Sequence, residues 1–247
     1  MNRKLLKALI LLGSLFSLEG QAAQAKKYIV AFPKQNFFPQ YEVSERIQRG
    51  LLVDIIEKFS KDQNIEFILK SYPIKRYVQL SKEGKVDFIF PDNPQWVSKS
   101  NKQNIIFSNT VTKSTGVFFS NAIVKRDEIK TIATIRGYTV PFFQKEISHK
   151  EIKKYEIDTG RSLVNFIAKG RAQIGYFHED IINRQIRENS LSNIVFAHHL
   201  PKKEYSYHLS SIHHKSIIQK FNNWLSKNRE WIKQRKSYLD NKLSLKK

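Results

Sequence analysis

Val78-Gln-Leu-Ser-Lys-Glu-Gly84-Lys-Val-Asp-Phe-Ile-Phe-Pro-Asp92 and Ala168-Lys-Gly170-Arg-Ala-Gln-Ile-Gly-Tyr-Phe-His178 are two versions of one pattern. Each has the end of a helix, a glycine stop, two spacer residues and an apolar strand that closes on a polar side chain. The glycines lie 86 residues apart, which suggests two units of like build. Glycine suits the left-handed residue that ends a helix, and a short continuous apolar run suits a strand covered on both faces. In open α/β sheets, ligands sit at the carboxyl ends of the strands. Asp92 and His178 are therefore expected to approach one cleft from opposite walls.

The rest of the chain fits this frame. Lys27 to Phe32 reads as a strand. Gly50 to Phe59 reads as a helix, with Leu51, Leu52, Ile55, Ile56 and Phe59 on one face. Ile65 to Tyr72 is a strand, Ile74 to Lys82 a helix stopped by Gly84, and Val86 to Phe90 a strand. This alternation predicts an α/β architecture. Ser148-His-Lys-Glu151 fits a capping box and predicts a helix starting there. The basic tail from Lys233 to Lys247 reads as a frayed helix end.

The amino terminus predicts the compartment. Arg3, Lys4 and Lys7 precede an apolar run from Ala8 to Phe16 and a small-residue exit at Ala23-Gln24-Ala25. These are the parts of a secretory signal peptide covering residues 1–25, and the run is too short to span a bilayer. The expected location is periplasmic. The chain has no cysteine, so neither a disulfide nor a lipoprotein anchor is available. The formal charge of +21 falls to +19 without the first 25 residues. Lysine outnumbers arginine 31 to 12, which reads as a compositional bias that spreads lysine over solvated faces. No basic segment is interleaved with stacking aromatics, so no nucleic acid is expected as a partner.

Several motifs, taken in order, resemble those of the bacterial periplasmic solute-binding proteins of the polar amino-acid type, family 3. Phe37-Phe38-Pro39-Gln40-Tyr41-Glu42 is similar to an aromatic–proline–aromatic–Glu turn. Gly50-Leu-Leu-Val-Asp54 is similar to a Gly-x-x-x-Asp helix start. Pro73-Ile-Lys-Arg76, then Leu80, Gly84 and Asp87, resembles a Pro-x-x-Arg…Leu…Gly-x-x-Asp block. Phe107-Ser108 resembles the Phe-Ser before the first crossover. Ile135-Arg136-Gly137-Tyr-Thr-Val140 resembles the Leu-Lys-Gly-x-x-Val opening of the second lobe, and Gly170-Arg171 the Gly-Arg before its second diagnostic strand.

The resemblance implies a two-lobe type II fold, each lobe a mixed sheet flanked by helices, with two hinge crossings. Lobe 1 would hold residues 26–111 and 207–247, and lobe 2 residues 117–203. The hinge would lie near 112–116 and 204–207. It implies a monomer that captures a small polar or anionic solute for an ABC-type importer or a sensor, without cofactor or metal. A secreted lyase using Asp92, His178 or Glu42, or a basic adaptor without a small ligand, are the alternatives. No G-x-S-x-G or P-loop motif is present. The chain also departs from the family. Amino-acid binders carry an arginine shortly before the Phe-Ser, absent here from Trp96 to Gln103. His178 stands where the family has an aspartate for the ligand ammonium. Gln144–Ser148 replaces the glycine–Ser/Thr loop.

The candidate site residues are Phe37, Phe38 and Tyr41 after the first strand, Asp92, Asn93 and Trp96 after the third, Arg76, Ser148 and His178. Arg76, one turn into its helix, is the expected charge partner of the ligand. The aromatics are expected as a cleft wall, Ser148 as a helix-start anion contact, and His178 as a group that makes binding sensitive to pH. His198-His199 and His213-His214 are adjacent pairs whose side chains diverge, so neither is a chelate.

Overall fold

The computed structural model describes residues 26–97 and 104–242. The signal-peptide reading falls on residues 1–25, outside the described residues. The chain runs β1 (Lys27–Pro33), β2 (Asn36–Phe37), β3 (Tyr41–Val43), β4 (Gln48–Arg49), α1 (Leu51–Gln63), β5 (Glu66–Tyr72), α2 (Ile74–Glu83), β6 (Phe88–Asp92) and β7 (Ile106–Phe107). It continues through β8 (Thr112–Ser120), β9 (Thr131–Ile135), α3 (Gln144–Ser148), β10 (Lys153–Ile157), α4 (Gly160–Ala168), β11 (Ile174–His178), α5 (Glu179–Glu188), β12 (Val195–Phe196), β13 (Lys203–Ser211), α6 (Lys215–Lys227) and α7 (Arg229–Lys242).

Both halves of the pattern form as read. Gly84 ends α2 at φ 60° and Gly170 follows α4 at φ 66°, a region L side chains rarely enter. The strands that follow are buried at every residue and end on Asp92 and His178. The first strand starts two residues later than the apolar run. Asp87 is drawn out of it, accepting from Ile29 N at 2.8 Å and lying 2.7 Å from His214 Nε2.

The strand order β10-β9-β11-β8-β13-β6-β1-β5 makes two lobes. In one, β1 lies parallel to β5 and β6. In the other, β9 lies parallel to β10 and β11. The path is continuous only because two long strands cross between the lobes and pair there, Thr112↔Tyr207 through Gly116↔Lys203. Beyond that pairing, β8 runs antiparallel to β11 and β13 antiparallel to β6. On α1, Leu51, Leu52, Val53, Ile55, Ile56 and Phe59 are buried. Each such side chain contributes roughly 1.5–3 kcal/mol of burial.

Three expectations need correction. Ser148 ends a five-residue helix rather than starting one, and its Oγ donates to Lys145 O at 2.8 Å. Lys150 then turns left-handed at φ 62°, so no helix can follow, and β10 begins at Lys153. The N-terminal cap of the next helix is Thr159, which accepts from Ser162 N at 3.1 Å. Ile135-Arg136-Gly137 closes β9 and runs past it instead of opening the lobe, so the Gly137-Tyr138 turn occupies a strand's carboxyl end. The tail, through Lys242, is a packed helix. Ile232 and Leu239 are buried, and Arg235 Nε lies 2.7 Å from Asp54 Oδ2.

Gly116 stands where β8 leaves β13 for β11, paired with both Lys203 and His178. A Cβ there would overlap the Tyr176 hydroxyl and come 2.9 Å from Tyr205 Cε2. Those two hydroxyls are hydrogen-bonded at 3.0 Å. Gly116→Ala is therefore expected to cost about 1–3 kcal/mol, the usual range for overpacking. Thermal unfolding checks this, and an unchanged melting temperature would contradict the close approach.

Candidate functional site

The lobes face each other through the segments that follow β1, β6 and β9, the carboxyl end of β11 and the crossing strands. Phe37, Phe38 and Tyr41 lie on the β2–β3 hairpin that follows β1, but they are packed rather than open. Phe37 and Tyr41 are each 2% exposed. Their rings stack at 5.3 Å, and Phe37 meets Phe177 edge-on at 5.2 Å and His178 at 4.8 Å. Phe37 is thus an apolar contact between the lobes. Phe38 lies between the guanidinium groups of Arg49 and Arg184, 4.8 and 5.2 Å from its ring.

Asp92 is buried at the end of β6. Its carboxylate accepts from Ser210 Oγ at 2.5 Å and Asn93 N at 2.7 Å. Burial pushes its pKa up to about 6, against the pull of those two donors. Asn93 donates to Ser206 O at 2.8 Å and accepts from Gln95 N at 2.7 Å, tying its loop to the second crossing. Trp96 stays 46% exposed, with its ring 6.3 Å from Tyr205 and 6.2 Å from Tyr207.

His178 faces the crossings from the second lobe. Its Nδ1 is 2.8 Å from Ser114 Oγ and 3.4 Å from the Tyr207 hydroxyl, and its ring is 5.2 Å from Tyr205. Desolvation drives its pKa down to about 4, and Asp180 only partly opposes this. The imidazole is neutral at neutral pH, so it can exchange hydrogen bonds with a ligand but does not titrate near pH 7. That corrects the expectation of a pH-sensing histidine. Ser114, His178 and Asp180 do not form a nucleophilic triad. Such a triad places the imidazole between hydroxyl and carboxylate, whereas Asp180 Oδ1 lies 3.5 Å from the Ser114 hydroxyl itself. Glu42, the other proposed acid or base, is held by Arg49 at 2.7 Å and by Asn36 at 2.8 Å.

Arg76 lies on the first turn of α2, with a side chain 44% exposed and Nη1 3.7 Å from Glu83 Oε2. Ser148 is exposed and engaged with its own helix. Among the described residues no three His, Asp or Glu side chains converge on a metal-sized site.

Besides Phe37, Phe38 and His178, the residues that join the lobes were not among the candidates. Gln40 Nε2 donates to Asp180 Oδ2 at 2.7 Å. Arg184 Nη1 donates to Asn36 Oδ1 at 2.9 Å and to Phe38 O at 3.1 Å. The Tyr138 hydroxyl donates to Gln35 Oε1 at 3.0 Å. All four are made by residues 35–40 of one lobe, and Gln40 Oε1 is buried without a partner among the described residues. One sequence signal was available: Tyr205 and Tyr207, two apart on a strand, share a face. A cavity of about 420 Å³ opens at the cleft mouth, between the β1–β2 loop and the helices α4 and α5. A second, of about 370 Å³, lies at the first crossing between Ser114, Asp180, Arg187 and Lys236.

No family model and no curated protein matches the chain. Solved structures do. A histidine kinase sensor domain with similarity to periplasmic binding proteins aligns at a TM-score of 0.70 and 14% identity, over 87% of this chain and 96% of that one. The GluR0 ligand-binding core from Nostoc punctiforme, in complex with L-glutamate, aligns at 0.67 and 16%, over 87% and 98%. The amino acid ABC transporter substrate-binding protein AbpA from Streptococcus pneumoniae, bound to L-arginine, aligns at 0.65 and 13%, over 90% and 97%. The likeness is one of fold. This chain has the two-lobe α/β architecture of periplasmic-binding-protein-like domains.

Proposed function

We propose that this chain is a monomeric periplasmic solute-binding protein that closes its two lobes around a small polar or anionic solute. It would present the solute to an inner-membrane ABC-type permease or to a sensor, with no covalent chemistry, cofactor or nucleic acid involved. The observation that carries this reading is the contact between the lobes. Among the described residues, the lobes meet outside the crossing strands at Phe37 and Phe38, which touch Phe177, His178 and Arg184, and through a few side-chain hydrogen bonds, among them Gln40 to Asp180, Arg184 to Asn36 and Tyr138 to Gln35. Tyr138 to Gln35 contributes about 0.5–1.5 kcal/mol net and each bond that involves a charged group about 1.5–3 kcal/mol, a set small enough to break and re-form as a hinge moves. The fold supports the same reading. In the proposed division, lobe 1 is residues 26–111 and 207–247, lobe 2 is 117–203, and the hinge is 112–116 with 204–207. The register of β8 against β13 supports these limits.

A thermal-shift screen of small metabolites tests the function. A solute that binds only the folded chain raises stability by roughly 2.7 kcal/mol at a hundredfold excess over Kd, and it should be recovered unchanged. Turnover of the solute would favour the lyase instead. Ordinary α-amino acids are expected to bind more weakly than about 0.1 mM, or roughly 5.5 kcal/mol. Their ammonium would meet the neutral His178 in place of a carboxylate. Micromolar binding of a common amino acid in calorimetry would refute this.

A further inference from the structure

The cavity at the cleft mouth is charged in a way that its own residues do not balance. Three cations line it, Lys34, Arg161 and Arg184, against two carboxylates, Asp158 and Glu188. Both carboxylates are already matched. Arg136 Nε lies 2.7 Å from Asp158 Oδ1, and Arg184 Nε lies 2.7 Å from Glu188 Oε1. Lys34 and Arg161 have no ion pair and no side-chain hydrogen bond among the described residues. They come from opposite lobes, Lys34 just after β1 and Arg161 from the first turn of α4. Phe37, Phe177 and Ile135 give the same cavity an apolar lining, all three buried.

We infer that this cavity takes a small organic carboxylate, with its acid group between Lys34 and Arg161 and its carbon skeleton against Phe37 and Phe177. The inference rests on the solute-binding reading and locates the charge partner at Lys34 and Arg161 rather than at Arg76. Two unmatched cations facing one gap repel each other, and an anion between them turns that repulsion into a bridge across the lobes. The planar fork of arginine matches a carboxylate in two hydrogen bonds. A bare inorganic anion would satisfy the charges but fill only a small part of the 420 Å³. The volume is within the range of small-molecule sites, roughly 300–1,000 Å³.

Benzoate and glutarate, their neutral amides benzamide and glutaramide, and inorganic phosphate serve as probes, at matched ionic strength. Melting temperature and calorimetric affinity are read on the unaltered protein and on Lys34→Ala, Arg161→Ala and Arg76→Ala. At least one carboxylate is expected to raise the melting temperature while its amide does not. Arg161→Ala should weaken that carboxylate about 10- to 100-fold, the range for loss of a charge-assisted hydrogen bond, and Lys34→Ala should weaken it in the same direction. Arg76→Ala should leave it unchanged. All three side chains are exposed, so the unliganded variants should melt within about 1–2 degrees of the parent. Amides or phosphate acting as well as carboxylates would overturn the inference. So would affinity that survives both Lys34→Ala and Arg161→Ala, or that falls only with Arg76→Ala. If an uncharged solute stabilises the protein and no carboxylate does, the inference fails and the solute-binding reading stands. If no solute of any class stabilises it, both fail.

Discussion

Asp92→Asn and His178→Gln are expected to change the pH dependence of stability in opposite directions over nearly the same window. The folded pKa of Asp92 is raised from 3.8 to about 6 by burial. A raised group gives stability that is fully present below its unfolded value and lost as pH rises through its folded value. As pH falls from about 6 to 3.8, Asp92 therefore adds stability. The folded pKa of His178 is lowered from 6.5 to about 4, again by burial. Its contribution is present above 6.5 and is lost as pH falls toward 4. Each shift corresponds to roughly 3 kcal/mol, so in the unaltered protein the two nearly cancel. Asp92→Asn removes the gain and should lose stability steeply on acidification. His178→Gln removes the loss and should resist acid better than the parent. Urea unfolding across this pH range measures both. Profiles parallel to that of the parent would mean that neither group is desolvated.

Phe37→Ala is expected to cost about 3–5 kcal/mol, the range for a buried aromatic cut to a methyl group. A chain of this size would then melt roughly 10 degrees lower. Phe37 is 2% exposed and holds Tyr41 within its own lobe and Phe177 and His178 across the cleft. Part of the loss should therefore appear as opening of the lobes before unfolding. Phe221→Ala gives the contrast. Phe221 is fully buried against Phe59 and Trp224, far in sequence from the cleft loops. Small-angle scattering should show a larger native radius for Phe37→Ala and an unchanged one for Phe221→Ala. Equal radii would mean that Phe37 does not hold the lobes together.

What could be read from the sequence was what local chemistry decides. The left-handed glycines at 84 and 170 and the apolar strands after them need no distant partner to be recognised, and they put Asp92 and His178 at the ends of those strands. Ser148-His-Lys-Glu151 misled because a capping box is a local pattern that the turn at Lys150 overrides. For Arg76 the spacing places a helix turn but not the direction of a long side chain, which here runs along α2 to Glu83. The tail was misread because its partners, Asp54 and the α1 surface, lie far back in the chain. Gln40, Asp180 and Arg184 carry no motif. Their pairing spans about 140 residues and exists only once the crossing strands bring the lobes together. Lys34 and Arg161 looked like two more solvated cations in a lysine-rich chain until their shared cavity was visible.

The central claim is that solute binding and lobe closure are one event. The absence of cysteine permits a direct measurement. Lys61→Cys on α1 and Lys169→Cys at the end of α4 place one label on each lobe, both at exposed positions. The distance distribution between the labels is measured with and without the solute that raises the melting temperature most. Saturation with that solute is expected to narrow the distribution to a single short distance, and Arg184→Ala to broaden it when solute is absent. A solute that raises the melting temperature while the distribution stays the same would contradict closure as the means of binding.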